Sequence, residues 1–203
     1  IPSVEKVKKG FCNLEKHIEN IRKFGITPVI AINHFVKDTE EEINVLIELC
    51  NLLNVKAVVS KGWLQGGNGT QELAKAVVEE IEKSTSSNFK PLYDWNASVK
   101  QKIETIAKEI YGADTIEYAT KAEQDLKRIE SLGLSHLPIC MAKTQKSFSD
   151  NEKRIGRPIN FTITVREFEI AAGAGFIIPI LGSMMRMPGL PSIPASEGMS
   201  IDD

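Results

Sequence analysis

Cysteine is scarce in this chain of 203 residues, and Cys12, Cys50 and Cys140 stand far apart with no Cys-x-x-Cys pair among them. An odd, scattered set fits reduced thiols in a cytoplasmic protein better than a disulfide framework. No apolar run reaches membrane-spanning length, and the amino end carries no signal-peptide pattern, so neither a membrane span nor export is expected. Charge of one sign is also missing: the net charge is −2 and the pI about 6.0. Bulk electrostatics therefore favours neither nucleic acid nor an anionic membrane as partner. There is no internal repeat and no Gly-Lys-Ser/Thr, so a nucleotide phosphate loop is excluded. Nor is there an initiator methionine. Ile1-Pro2 leads straight into a lysine-rich helix, which points to a piece of a longer protein.

What the chain does have is apolar content of 42%, enough for one substantial core or two small ones. Its organising stretch is Ile26–Phe35. Val29–Ile32 is apolar without alternation, the pattern of a strand buried on both faces of a parallel sheet. A helical pattern precedes it, with Phe11, Leu14, Ile18 and Ile21 at helical spacing and Gly25 as the stop. A second helix follows over 39–53, with Ile43, Leu46, Ile47, Cys50 and Leu53 inward and Asp38 with Glu41 as a capping box. Val55–Ser60 reads as the second buried strand. Thr70 then caps a helix to about Lys83, with Leu73, Val77 and Ile81 inward.

Ser84–Pro91 is the clearest break. Beyond it, Asn96–Ile110 reads as a helix carrying Val99, Ile103, Ile106, Ala107 and Ile110 on one face and stopping at Gly112. Thr115–Tyr118 is a short extended stretch. Thr120 with Glu123 caps a helix with Ala122, Leu126 and Ile129 inward, ending at Gly133. Leu137–Ala142 is a third buried strand. From Asn160 the period becomes two, and a change of parity at Arg166-Glu167 implies a bulge. Phe176–Leu181 is the last strand, and Pro188, Pro191 and Pro194 make the end an extended tail.

In α/β units, residues just past the carboxyl end of a strand line the ligand crevice. That places Asn33, His34 and Phe35 beside the loop Lys61–Gly67. Glycines 62, 66, 67 and 69 ahead of a helix offer backbone N–H groups to an anion, or simply make a turn. Trp63, between glycines in a strand-end loop, has little local core to join, so ligand stacking and core packing are both open. With Phe35 it makes a slot for a flat ring. Asn33 with Asp38 resembles a base-reading pair at a longer spacing than usual, and strand-end and capping duties are the alternative. His17, His34 and His136 lack partners at metal-ligand spacing. Loop 143–149 is rich in hydroxyls and amines but holds no nucleophilic set, and Met184, Met185 and Met187 read as packing.

Several strings together resemble one family. Ile32-Asn33-His34-Phe35 with Asp38-Thr39-Glu40-Glu41-Glu42 is one, and Met141-Ala142-Lys143-Thr144-Gln145 with Ser147-Phe148-Ser149 is another. Gly156-Arg157-Pro158 with Phe161–Glu167, and Met187-Pro188-Gly189-Leu190-Pro191, complete the set. In this order they are similar to the carboxyl-terminal third of formate–tetrahydrofolate ligases. Two positions depart from the family pattern: Val36 stands where a proline is expected, and Lys146 where an aromatic is expected. The resemblance implies ATP-dependent joining of formate to tetrahydrofolate through formyl phosphate, in a homotetramer activated by a monovalent cation. It also implies a pterin ring held between Phe35 and Trp63 against an aliphatic wall at Val59. The phosphate-binding loop would belong to an amino-terminal domain of the same enzyme, absent from this sequence.

The expected fold is α/β. A parallel-sheet lobe over residues 1–110 continues a doubly wound, P-loop-type enzyme and carries the folate loops. A smaller α/β lobe over residues 111–203 ends in the proline-rich tail. No general base and no metal ligand is assigned. Asn33 and Asp38 are the candidates for a nucleotide. A segment serving only assembly and interdomain packing is the alternative reading.

Overall fold

The computed structural model describes residues 2–83, 88–184 and 192–200. It is a mixed α/β structure built on two small sheets and two apolar clusters. Helix α1, Val4–Lys23, starts at Ser3, whose hydroxyl accepts from Lys6 N, and stops where Gly25 takes a positive φ of 76°. Nothing but glycine fits there, because an added Cβ would lie 2.0 Å from the carbonyl oxygen of Asn88. Strand β1, Ile30–Asn33, pairs in parallel with β2, Ala57–Ser60, and α2, Glu40–Leu52, makes the crossover.

The capping box of α2 sits one residue later than expected. Thr39 is the N-cap and exchanges hydrogen bonds with Glu42, since the carboxylate of Asp38 is taken by Phe35 N. Phe11, Cys50 and Ala57 form the first core, with Ile30, Ile32, Leu46 and Ile47 against it. β1 is not buried on both faces. Ala31 and Asn33 are exposed, because α1 and α2 cover one side only. Helix α3, Gly62–Gln65, and a 3-10 turn at Gly66–Thr70 lead into α4, Gln71–Lys83, which leans on β2 through Ala76. Of the residues expected inward on α4, Leu73 is half-buried while Val77 and Ile81 are exposed.

The second core is larger. Helix α5, Val99–Thr105, runs into a π-helical turn at Ile106–Tyr111 that ends on Gly112 in the left-handed region. Val99, Ile103 and Ala107 pack with Ala122, Leu126 and Ile129 of α6, Thr120–Ser131, and with the sheet below. That sheet has the order β3 (Thr115–Tyr118), β4 (Thr162–Ala171), β5 (Phe176–Leu181), parallel then antiparallel. The stretch 115–118 is thus a full strand. Thr120 does not cap α6: Ala119 is the N-cap, without a side-chain bond.

The register slip expected at Arg166 is present, between Val165 and Glu167. Beside it, the N–H of Phe168 donates to Asp125 at 3.1 Å. Residues 137–142 run parallel to β5, but only as isolated bridges rather than a third buried strand. Ile177 N donates to Pro138 O, Cys140 N to Ile177 O, Ala142 N to Pro179 O and Leu181 N to Ala142 O. The rung between them is missing because Pro179 has no N–H to offer Cys140. The tail contains a 3-10 turn at Ala195–Gly198 after Pro194, so it is not wholly extended. Ser84–Ser87, and Met185, Met187, Pro188 and Pro191, lie outside the described residues.

Lys102 is fully buried, and its ammonium donates to the carbonyls of Ser135, His136 and Leu137 at 2.9, 3.2 and 3.1 Å. Burial pushes its pKa down, against an opposing pull from Asp94. Lys102→Met would leave three carbonyls facing an apolar chain. We expect a loss of about 2–4 kcal/mol, read as a lower urea midpoint at unchanged slope.

Asp125 yields a pH prediction. Burial raises its carboxyl, but hydrogen bonds from Lys121 and Phe168 N outweigh that and leave the pKa lowered. The folded carboxyl then binds its proton less tightly than the unfolded one. Its stabilisation is complete above the unfolded pKa of about 4 and is lost as pH falls through the folded value. Asp125→Asn should therefore be less stable than the parent at neutral pH, and the gap should close in acid unfolding curves below about pH 4.

Candidate functional site

The carboxyl ends of β1 and β2 open onto one edge of the two-stranded sheet, and two short turns meet there. His34 N donates to Ser60 O at 3.0 Å, which extends the β1–β2 ladder one residue past Asn33. The chain then turns. Phe35 N donates to the carboxylate of Asp38 at 2.7 Å, and Asp38 N returns a bond to Phe35 O at 3.0 Å. Asp38 thus fixes the turn that presents Phe35. This role was missed in sequence because Asp38 also stands where a helix cap is expected.

After β2, several N–H groups of the glycine-rich stretch are spent inside the loop. Leu64 N and Gln65 N donate to Lys61 O, and Gly66 N donates to Gly62 O. Lys61 N closes the loop on Gly69 O at 3.0 Å, and a Cβ at Gly69 would fall 2.5 Å from Lys61 O. The glycines therefore build a tight helical turn, the plainer of the two readings. That turn lifts Trp63 toward β1, where its indole Nε1 donates to His34 O at 2.7 Å.

Phe35 and Trp63 consequently meet. Their ring centroids are 5.7 Å apart, with an interplanar angle of 26°. The two residues are 53% and 56% exposed and join neither apolar cluster among the described residues. Stacking of this kind contributes about 0.5–1.5 kcal/mol beyond area burial. A flat ring sandwiched between them needs about 7–8 Å, twice a carbon–carbon contact distance. Val59 is half-buried on β2, in register with Ile32.

Asn33 is exposed at the end of β1, opposite Ser60, and its side chain makes no hydrogen bond among the described residues. Asp38 is committed to Phe35. Both stand by the turn that follows β1, Asn33 at its start and Asp38 with one carboxylate oxygen on Phe35 N. Of the histidines, His136 bonds Gly133 O at 2.9 Å, and His17 packs on Phe148 with centroids 4.7 Å apart. Among the described residues no three His, Cys, Asp or Glu side chains group as a metal site, and no helix is long and apolar enough to cross a membrane.

In loop 143–149 the hydroxyls hold the loop itself. Ser147 and Ser149 bond each other at 3.1 Å, and Thr144 accepts from Lys146 N at 3.2 Å.

The aromatic pair is thus offered to solvent at adjacent parallel strand ends. The formate–tetrahydrofolate ligase family model matches residues 2–203, nearly the whole length, and the chain belongs to that family.

Proposed function

We propose that this chain carries the acceptor-binding part of a ligase that uses ATP to join formate to tetrahydrofolate. The observation behind this reading is the exposed Phe35–Trp63 pair at the carboxyl ends of β1 and β2. Family membership supplies the reaction class. The pterin enters between the two rings, with Val59 as the aliphatic wall. Entry parts the rings by about 2 Å, and Trp63, anchored by its indole N–H to His34 O, is the fixed member.

In the intact enzyme, ATP phosphorylates formate. The N10 amine of the folate attacks the resulting formyl phosphate: a C–N bond forms, the C–O bond to phosphate breaks, and the amine loses its proton. Phe35 and Trp63 contribute by holding the acceptor in line, which is proximity rather than acid–base catalysis.

The phosphate-binding loop, the monovalent cation and the homotetramer belong to the intact enzyme in this reading, with an amino-terminal domain as the partner. Asn33 and Asp38 stay the candidates for a nucleotide in this reading, with one Asp38 oxygen already on Phe35 N. We place the division between lobes along the cores, so that α5 and its π-helical turn go with the second lobe. The exposed face of β1 and the apolar side chains of Val77, Val78 and Ile81 favour a packing role for this lobe as well.

The 203-residue chain by itself is expected to show no ligase activity, because its sequence contains no Gly-Lys-Ser/Thr to grip the ATP phosphates. Release of ADP that depends on both formate and tetrahydrofolate, from rigorously pure chain, is the contrary result.

In the intact ligase, Trp63→Ala should raise KM for tetrahydrofolate about tenfold or more, worth about 1.4 kcal/mol, and leave KM for ATP nearly unchanged. Fluorescence gives a direct reading once Trp95 is replaced by Phe. Folate should quench Trp63 to saturation, after correction for folate absorption, and Phe35→Ala should move the midpoint upward. Unchanged folate kinetics in a destabilised Trp63→Ala enzyme would make Trp63 a structural residue and end the slot reading.

A further inference from the structure

A second concavity lies between the exposed side of α1 and the turns around Lys143–Phe148 and Ile155–Arg157. Its volume is about 610 Å³, within the range of small-molecule sites. Lys6, Lys9, Lys143, Lys146 and Arg157 line it, and no carboxylate does. Two of these cations are neutralised from outside: Lys146 pairs with Glu152 at 3.0 Å, and Arg157 with Glu15 and Glu19 at 3.2 and 3.0 Å. Lys6, Lys9 and Lys143 have no acidic partner among the described residues.

Lys143 is the central one. It is half-buried, its ammonium donates to Thr144 O at 2.8 Å and to Ser147 O, and it lies 5.1 Å from the ring centroid of Tyr111. Burial holds its pKa down, as expected for a cation facing a cleft without a counter-charge.

Gly10 is an independent sign. It sits within α1, where glycine costs about 1 kcal/mol relative to alanine. No neighbour requires it, for an added Cβ would meet nothing within 4 Å. It lines the cleft between Lys9 and Asn13, so the missing side chain enlarges the cleft at the expense of the helix.

We propose that this cleft is a binding site for a small phosphate-bearing molecule, its phosphate held by Lys6, Lys9 and Lys143 over the bare backbone of Gly10. Three ammonium groups without an acidic partner among the described residues, lining one cleft, suit a multiply charged oxyanion. The remaining volume takes an organic body, with Ile155 at the rim. The site is built by α1 and the second lobe, separately from the Phe35–Trp63 edge.

The test is calorimetric titration of the 203-residue chain with pyrophosphate at low and at physiological ionic strength. Saturable one-to-one binding is expected, weakened about tenfold or more by Lys143→Gln. Because Lys143 also holds its loop, Lys9→Gln, on the exposed side of α1, serves as the second charge variant and should weaken binding with its melting temperature unchanged. Gly10→Leu is the sharpest variant. It should keep or raise the melting temperature through better helix propensity while abolishing binding by filling the cleft. Lys56→Gln, on the exposed surface away from the cleft, should change nothing. Absence of saturable binding overturns the proposal. So does binding that survives Gly10→Leu, or that falls equally with Lys56→Gln.

Discussion

The π-helical turn at Ile106–Tyr111 ends with carbonyls that are satisfied from another element, and that seam fastens helix α1 to the second core. A wound-out helix end facing protein rather than water must find donors from another element. Helix α1 supplies them: Lys16 Nζ donates to Glu109 O at 3.0 Å and Asn20 Nδ2 to Ile110 O at 2.9 Å. Lys23 adds an ion pair to the Glu109 side chain. Both Lys16 and Asn20 are buried. A cation at the negative end of a helix also suits the dipole. The seam is specific rather than perfect, since Asn20 Oδ1 is buried without a partner among the described residues.

Because α1 is tied there, its other faces acquire fixed duties. Phe11 reaches the first core, Glu15 and Glu19 clasp Arg157, and His17 rests on Phe148. One helix therefore positions the parallel β1–β2 unit, with its aromatic pair, relative to the larger second core. The aromatic pair at the strand ends and the cleft against α1 share that frame but none of their residues.

Much of this was legible in sequence where a single physical rule dominates. Apolar runs marked β1 and β2, helical spacing marked the inward residues of α2 and α6, and glycines at 25, 112 and 133 marked helix ends, each with a positive φ. The slip at Arg166 showed because parity is strict along a strand. Where two rules competed, the reading failed. Asp38 satisfied a capping pattern, yet Thr39 took the cap and Asp38 took the Phe35 turn. Residues 137–142 had the composition of a strand, but the donor missing at Pro179 belongs to a partner some forty positions away, beyond any local pattern. At the candidate site, the proximity of Phe35 and Trp63 was legible from strand order. Their direct contact was not, because it depends on the indole bond to His34 O.

The three carbonyls around Lys102 form an oxygen cage of the sort that elsewhere surrounds an alkali-metal ion. Here the guest is covalently attached to α5, and its concentration cannot fall. The turn at 135–137 is therefore held in one shape regardless of which salts surround the protein. An inorganic cation finds no vacancy in this cage, because the Lys102 ammonium already fills it.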